Sequence, residues 1–333
     1  MQVLKHQICR AMLLLLWAVF PRQAFCQADL TSPLSVSSPM LYNPGFTGME
    51  ELGGSLGFRR QWTTVSGGPA QLYLQVSSAS DLKFKTGRRH RYAFFKTTDT
   101  SKTLLKPLGR LKHLHGIGGT VWQQSTGALQ RTSLRLSYAR HISLNNNLRL
   151  SLGVSTGFSA WRLNLADVRL ANPRDPAFIA SSAYTPDLSI GLALCSSHGY
   201  AGIGMGQLQP VRPDFGGSLE TVFMPDFNFS GAWLFPADAN VLIIPSVTGN
   251  ISKSGEYNAR IGLRITDEGL ASAGLNIGMR GTMGAVLSFN LTQELALYYA
   301  YEFNGFAAYE PYGSNHDLML AYRVHSPLSK LFR

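Results

Sequence analysis

The chain has 333 residues, 33 of them glycine, 11% aromatic residues and a formal net charge of +11. Ten basic and two acidic residues fall between Asp81 and Lys112, three further basic residues lie in the first 26, and the remainder sums to zero. Basicity this local excludes a cationic surface spread over the fold of the kind that grips nucleic acid. Of three cysteines, Cys9 and Cys26 belong to the N-terminal leader and Cys195 stands alone, which excludes a disulfide framework.

Residues 1–26 read as a signal peptide. Lys5 and Arg10 supply positive charge, and Ala11 to Phe20 is an apolar run too short to span a bilayer as a helix. Small residues flank Phe25 in Ala24-Phe25-Cys26, which fits cleavage before Gln27. The alternative, acylation of Cys26, has bulky Phe25 against it. Residues 27–50 are expected to form an N-terminal periplasmic segment, and 326–333 a C-terminal tail.

From residue 51 onward, two-residue alternation dominates. Leu148, Leu150, Leu152, Val154, Thr156 and Phe158 alternate with Arg149, Ser151, Gly153, Ser155 and Gly157. The same pattern returns over 188–195 and 283–291. Successive side chains of a strand point to opposite faces, so period two means a sheet with two environments. One face is nearly pure Leu, Ile, Phe and Tyr; the other carries Gly, Ser and Arg. That pattern predicts an all-β protein, a transmembrane antiparallel β-barrel over 51–325 with lipid outside and water inside. About fourteen strands are expected: 51–62, 70–79, 114–124, 127–141, 147–163, 187–196, 199–206, 223–235, 240–248, 256–266, 269–280, 282–292, 294–303 and 315–325. Short links alternate with longer ones at 164–186, 207–222, 249–255 and 304–314. With both termini in the periplasm, the short links fall on the periplasmic side and the long ones outside. The exception is a long basic loop at 80–113, around Lys83, Lys85, Arg88, Arg89 and Arg91, which this count places in the periplasm. It reads either as a solvated charge run or as a partner-docking loop.

Chemical motifs are few. Gly153-Val154-Ser155-Thr156-Gly157 matches a nucleophile-elbow spacing, but that motif needs a strand-to-helix turn, and these residues lie in mid-strand. Gly202, Gly204 and Gly206 have period-two spacing rather than that of a phosphate loop. His113 and His115 lack a companion Cys or carboxylate cluster for a metal. With no paired carboxylates and no triad, neither an enzyme nor a cofactor is expected. Tyr298, Tyr299 and Tyr301 fit an interfacial girdle. Arg131, Arg135, Arg149, Arg260, Arg264, Arg280 and Arg323 all fall on the polar face, as do Glu302 and Asp317, because charge on the lipid face costs several kcal/mol near the midplane. These groups form either internal Arg–carboxylate ladders or an anion-attracting lumen, able to hold an acidic peptide or plug.

Tyr42-Asn43-Pro44-Gly45-Phe46-Thr47-Gly48, then Arg59-Arg60-Gln61-Trp62, Pro69, Pro186-Asp187 opening the sixth strand, and Gly313-Ser314-Asn315-His316-Asp317 near the end stand in an order that resembles the PorP/SprF family of type IX secretion outer-membrane proteins. The residues that carry the resemblance are Asn43, Pro44 and Gly48, then Arg59, Gln61 and Trp62, then Gly313, His316 and Asp317. It implies a barrel in the outer membrane of a Gram-negative bacterium, often a gliding one. It also implies a role in exporting or anchoring cargo with a C-terminal sorting domain, with outer-membrane lipid, the secretion machinery and a cargo protein as partners. Taken alone, Asn43-Pro44 followed by Gly48 is turn chemistry, and Trp62 is expected at an interface. The alternative function is a porin-like or uptake channel for small anionic or hydrophobic solutes. A secreted sandwich adhesin is disfavoured, because its core does not match an Arg-bearing face on so many strands.

Overall fold

The computed structural model describes residues 32–50, 52–80, 115–145, 147–164, 182–208, 225–238, 241–252, 257–267, 271–279, 281–292, 294–304 and 313–324. The leader, the C-terminal tail, most of the basic loop and Arg280 lie outside the described residues. Among those described, no helix is long and apolar enough to cross a membrane; the chain crosses with strands.

These are β1 (Leu52–Arg60), β2 (Ala70–Ser80), β3 (His115–Thr126), β4 (Leu129–Ser143), β5 (Leu148–Leu163), β6 (Ser182–Ser196), β7 (Gly199–Gly206) and β8 (Asp226–Trp233). There follow β9 (Phe235–Pro236), β10 (Val241–Ser252), β11 (Tyr257–Asp267), β12 (Ala271–Gly278), β13 (Thr282–Asn290), β14 (Leu295–Asn304) and β15 (Asn315–Val324). Neighbours pair antiparallel in chain order, β15 returns onto β1, and β9 resumes the line of β8 on the same partner, β10. Fourteen staves therefore close the barrel. Ladder partners lead from Ile251 of β10 through β8 and β7 round to Val324 of β15, and the other way from Leu242 to Met319. The nine residues between these points on β10 and the five on β15 together give a shear of fourteen. A fourteen-stranded barrel is wider than the eight-stranded size that wall side chains alone can fill.

Burial is inverted relative to a water-soluble sandwich. Leu275, Ile261 and Leu136 are 69%, 68% and 65% exposed, whereas Arg59 and Glu302 are 2% and 1% exposed. Greasy side chains face out and charged ones in, which is stable only with lipid outside. At the rim where β1 begins and β15 ends, called the terminal rim below, the links over 144–147, 197–198, 237–240, 268–270 and 291–294 are short, and the basic loop leaves from the same rim. The far rim carries the longer connections but also tight hairpins, with Gly127 and Gly281 at positive φ.

Three expectations are corrected. First, β6 begins at Ser182, so Pro186-Asp187 lies inside the strand rather than opening it. Proline is tolerated there because β6 runs beyond its ladder with β7, leaving one side of Pro186 an edge. Second, Tyr298 does not join Tyr299 and Tyr301 on the outside. It is fully buried in the lumen, as alternation requires of adjacent residues. Third, residues 32–50 do not form a periplasmic segment: they fill the barrel.

Candidate functional site: the plugged lumen

The segment 32–50 folds as three consecutive 3-10 turns, Pro33–Ser37, Pro39–Leu41 and Pro44–Phe46. Each opens on a proline preceded by Ser32, Ser38 or Asn43. Proline sets the φ of a first helical position and lacks the N–H that would be orphaned there. Ser32 Oγ accepts from the Leu34 N–H (2.9 Å), and Asn43 Oδ1 accepts from the Gly45 N–H (2.8 Å). A period-free segment with a proline at the start of every turn is compact without being a strand or a long helix.

Its apolar side chains divide between two flanks. Met40, Phe46 and Met49 pack with Ala193, Cys195, Tyr200, Ala232, Leu234, Leu242 and Ile244 of the β6–β10 wall. Leu34 and Leu41 pack with Tyr73, Val286, Tyr298 and Met319 on the opposite side. Burying each such side chain stabilises by roughly 1.5–3 kcal/mol, so the plug is a core of its own. The expected watery lumen is instead packed: Ser151 is 0% exposed, and its Oγ lies 2.6 Å from His141 Nδ1.

Polar groups tie the plug on the β11–β1 side. Arg59 Nη2 meets Glu302 Oε2 at 3.0 Å and Arg59 Nη1 meets Asp317 Oδ2 at 3.4 Å, while Arg260 Nη2 reaches Glu302 Oε1 at 2.6 Å. Ser32 Oγ donates to Asp317 Oδ2 (2.6 Å), joining the first described residue of the plug to this network. Arg264 Nη1 donates to Ser37 Oγ (2.9 Å), Arg323 Nη2 to the Ser37 carbonyl (2.6 Å), and Arg323 Nε pairs with Glu50 Oε1 (3.1 Å). Ser38 Oγ lies 3.0 Å from Ser55 Oγ. Toward the far rim, Arg131 pairs with Asp187 (3.0 Å) and stacks over Trp161. Arg135 donates to the Leu41 carbonyl (3.3 Å) and lies over Trp122, itself edge-on to Tyr42 of the plug. Arg149 sits inward opposite Cys195 near the terminal rim. Six of the seven arginines singled out from sequence thus face the lumen; Arg280 lies outside the described residues.

The motif Asn43–Gly48 occupies a transverse trough. Gly116, Ala139, Gly153, Gly191 and Gly204 are successive register partners across β3 to β7. A Cβ on Gly153 would overlap the Pro44 carbonyl, one on Gly191 would overlap Asn43 Oδ1, and one on Gly204 would press on the Tyr42 carbonyl. Gly48, at φ +68°, and Gly116 meet backbone to backbone. Asn43 Nδ2 donates to the Leu192 carbonyl (3.0 Å), and the Phe46 ring stands edge-on to Tyr200 at 5.1 Å.

The other motif residues lie elsewhere. Arg59 and Asp317 belong to the ion network, with buried Gln61 just above it. Trp62, beyond β1 and in the left-handed region at φ +53°, donates its N–H to Asn315 Oδ1 (3.2 Å). Gly313, at φ +75°, approaches Thr63 and Thr64. His316 faces outward between Tyr299 and Tyr301. His115 also faces outward, against Tyr138 and Arg140; His113, Lys83, Lys85, Arg88, Arg89 and Arg91 lie outside the described residues. Four cavities lined by described residues of plug and wall measure about 10 to 50 Å³ each, room for a few water molecules.

Comparison with solved structures finds other membrane barrels at low identity. The Ralstonia pickettii toluene transporter TbuX is 10% identical, covering 87% of this chain and 94% of that one, with a TM-score of 0.47. The Acinetobacter baumannii outer membrane protein Omp33 is 9% identical, covering 84% and 100%, with a TM-score of 0.43. No curated protein matches the chain. The model of the family described as type IX secretion system membrane protein PorP/SprF matches residues 30–322, a span that begins at the plug and ends in the last strand, and the chain belongs to this outer-membrane family.

Proposed function

We propose that this protein assists export or surface anchoring of cargo with a C-terminal sorting domain, and that it does so by binding at its rims rather than by conduction or catalysis. The observation that carries this reading is the filled lumen. Plug side chains are buried against both flanks, and Arg59, Arg131, Arg135, Arg260 and Arg323 are engaged with carboxylates or plug carbonyls. That packing speaks against a porin-like or uptake channel, and it moves cargo recognition away from the lumen arginines. The short turns make the terminal rim the periplasmic one. The basic 80–113 segment then emerges beside the secretion machinery as an electrostatic docking loop for an acidic partner. Cleavage of a signal peptide before Gln27 leaves five residues ahead of Ser32, the first described residue of the plug.

The test is a deletion strain complemented with wild-type protein or with a chain whose 80–113 basic residues are neutralised. The expected result is loss of sorting-domain proteins from the cell surface in the deletion, rescue by wild type, and weakened, salt-sensitive capture of machinery subunits by the neutralised chain. Unchanged export in the deletion, with reduced uptake of a small solute, would establish the transport reading instead.

A further inference from the structure

The trough on the inner face of β3–β7 is shaped to one backbone turn. We propose that it is a recognition site for an Asn-Pro-Gly-aromatic turn, able to bind a separate peptide as well as the segment tethered to it.

The receiving side is specialised. Glycine in a strand interior weakens the strand and marks close approach of another backbone. Here Gly153, Gly191 and Gly204 stand in register on three adjacent strands, with Gly202 one inward position along β7. A Cβ on any of them would meet the turn: Gly153 the Pro44 carbonyl, Gly191 the Asn43 side chain, Gly202 the Phe46 ring and Asn43 Nδ2, Gly204 the Tyr42 carbonyl. The bound turn is in place, with Asn43 donating to the Leu192 carbonyl and Phe46 on Tyr200. On the next inward row, two residues from Gly191, Ser189 is 2% exposed and its Oγ has no hydrogen-bond partner among the described residues. The site therefore keeps a polar group that the tethered turn does not use.

The ligand side is pre-formed. Asn43 Oδ1 holds the Gly45 N–H, the Phe46 N–H bonds the Asn43 carbonyl, the Thr47 N–H bonds the Pro44 carbonyl, and Pro44 fixes its own φ. A turn rigid before docking loses little conformational entropy on binding, which is what makes a short segment a ligand. Gly45 also has no room for a side chain, because a Cβ there would press on Asn43 Oδ1 and the β6 backbone. Asn, Pro, Gly and an aromatic ring each answer a separate feature of the wall.

The experiment uses the full chain in lipid nanodiscs, with its own turn disabled by Asn43→Ala, Pro44→Ala and Phe46→Ala, and a fluorescent synthetic peptide of residues 42–48 as probe. Saturable binding to this variant is expected. Binding should fall about tenfold or more for a peptide carrying Asn43→Ala, on the scale of a lost hydrogen bond with its packing. It should also vanish when Gly191→Leu is added to the variant, while wild-type protein takes up no peptide. Equal binding of the two peptides, or binding that survives Gly191→Leu, overturns the proposal. If the triple variant does not fold to a heat-modifiable barrel, Gly191→Ala in the otherwise unaltered chain replaces it. Its own turn should leave the trough, so that a Phe46→Cys thiol protected in the otherwise unaltered chain becomes reactive to a maleimide; equal protection in both overturns the proposal equally.

Discussion

The two flanks of the lumen hold the same plug by different physics. On the β6–β10 flank the contact is shape. Phe46, Met40 and Met49 enter an apolar wall and the 43–48 turn lies in a glycine trough, with few polar links such as Asn43 to the Leu192 carbonyl and the Tyr200 hydroxyl donating to the Val36 carbonyl. On the β11–β1 flank the contact is charge, with Arg59, Arg260, Glu302, Asp317, Arg323 and Glu50 interlocked around Ser32 and Ser37. The apolar flank tolerates a lost methylene gradually. The charged flank does not tolerate the loss of one partner, because the other is left as a buried uncompensated ion.

The largest effect is expected where that charge is unbalanced. Glu302→Ala leaves Arg59 and Arg260 without their shared carboxylate and should destabilise the barrel by about 3–5 kcal/mol, read as a shift in the urea midpoint in lipid vesicles. Phe46→Ala probes the other flank and should cost about 3 kcal/mol through lost burial and a cavity. It should also leave the ion pairs intact, so combining it with Glu302→Ala should be nearly additive; strong coupling would mean the flanks are not separate. Asn43→Ala is smaller, about 1–2 kcal/mol, for one hydrogen bond to the wall and one within the turn. Arg140→Ala is the control. It lies on the outer face beside His115 and Tyr138 and should change stability by no more than about 0.5 kcal/mol.

What was legible in the sequence follows the same division. The wall was readable because lipid and lumen impose period two, and strand bounds at β4, β5 and β13 fall within two residues of those expected. The plug was not, because 3-10 turns have no sustained periodicity and the segment has no strand-like alternation. It still left two signals. Ser32-Pro33, Ser38-Pro39 and Asn43-Pro44 repeat a cap-proline pair at five- to six-residue spacing, and Leu34, Met40, Leu41, Phe46 and Met49 are too apolar for a solvated segment. A third signal lay in the wall itself. The unbroken run Val241-Leu242-Ile243-Ile244 abandons alternation, as strands do when both faces are dry, and Leu242 and Ile244 are among the residues against which the plug packs. In the sequence, Gly202 and Gly204 stand out only as a mismatch to a phosphate loop and Gly153 only as a mismatch to a nucleophile elbow. Their register across strands, which gives them meaning, is a property of the folded barrel.

The central claim is that residues 32–50 sit inside the barrel, and disulfide trapping tests it most directly. Ser38 Oγ and Ser55 Oγ are 3.0 Å apart within the lumen, close enough for the pair Ser38→Cys and Ser55→Cys to bridge with little backbone movement. The predicted result is a disulfide between positions 38 and 55 in outer-membrane preparations after mild oxidation, identified by mass spectrometry of the linked peptides. In the reduced, folded protein, the Ser38→Cys thiol should not react with a membrane-impermeant maleimide. A thiol at position 38 that labels rapidly and never links to the one at position 55 would place the segment outside the barrel and contradict the account.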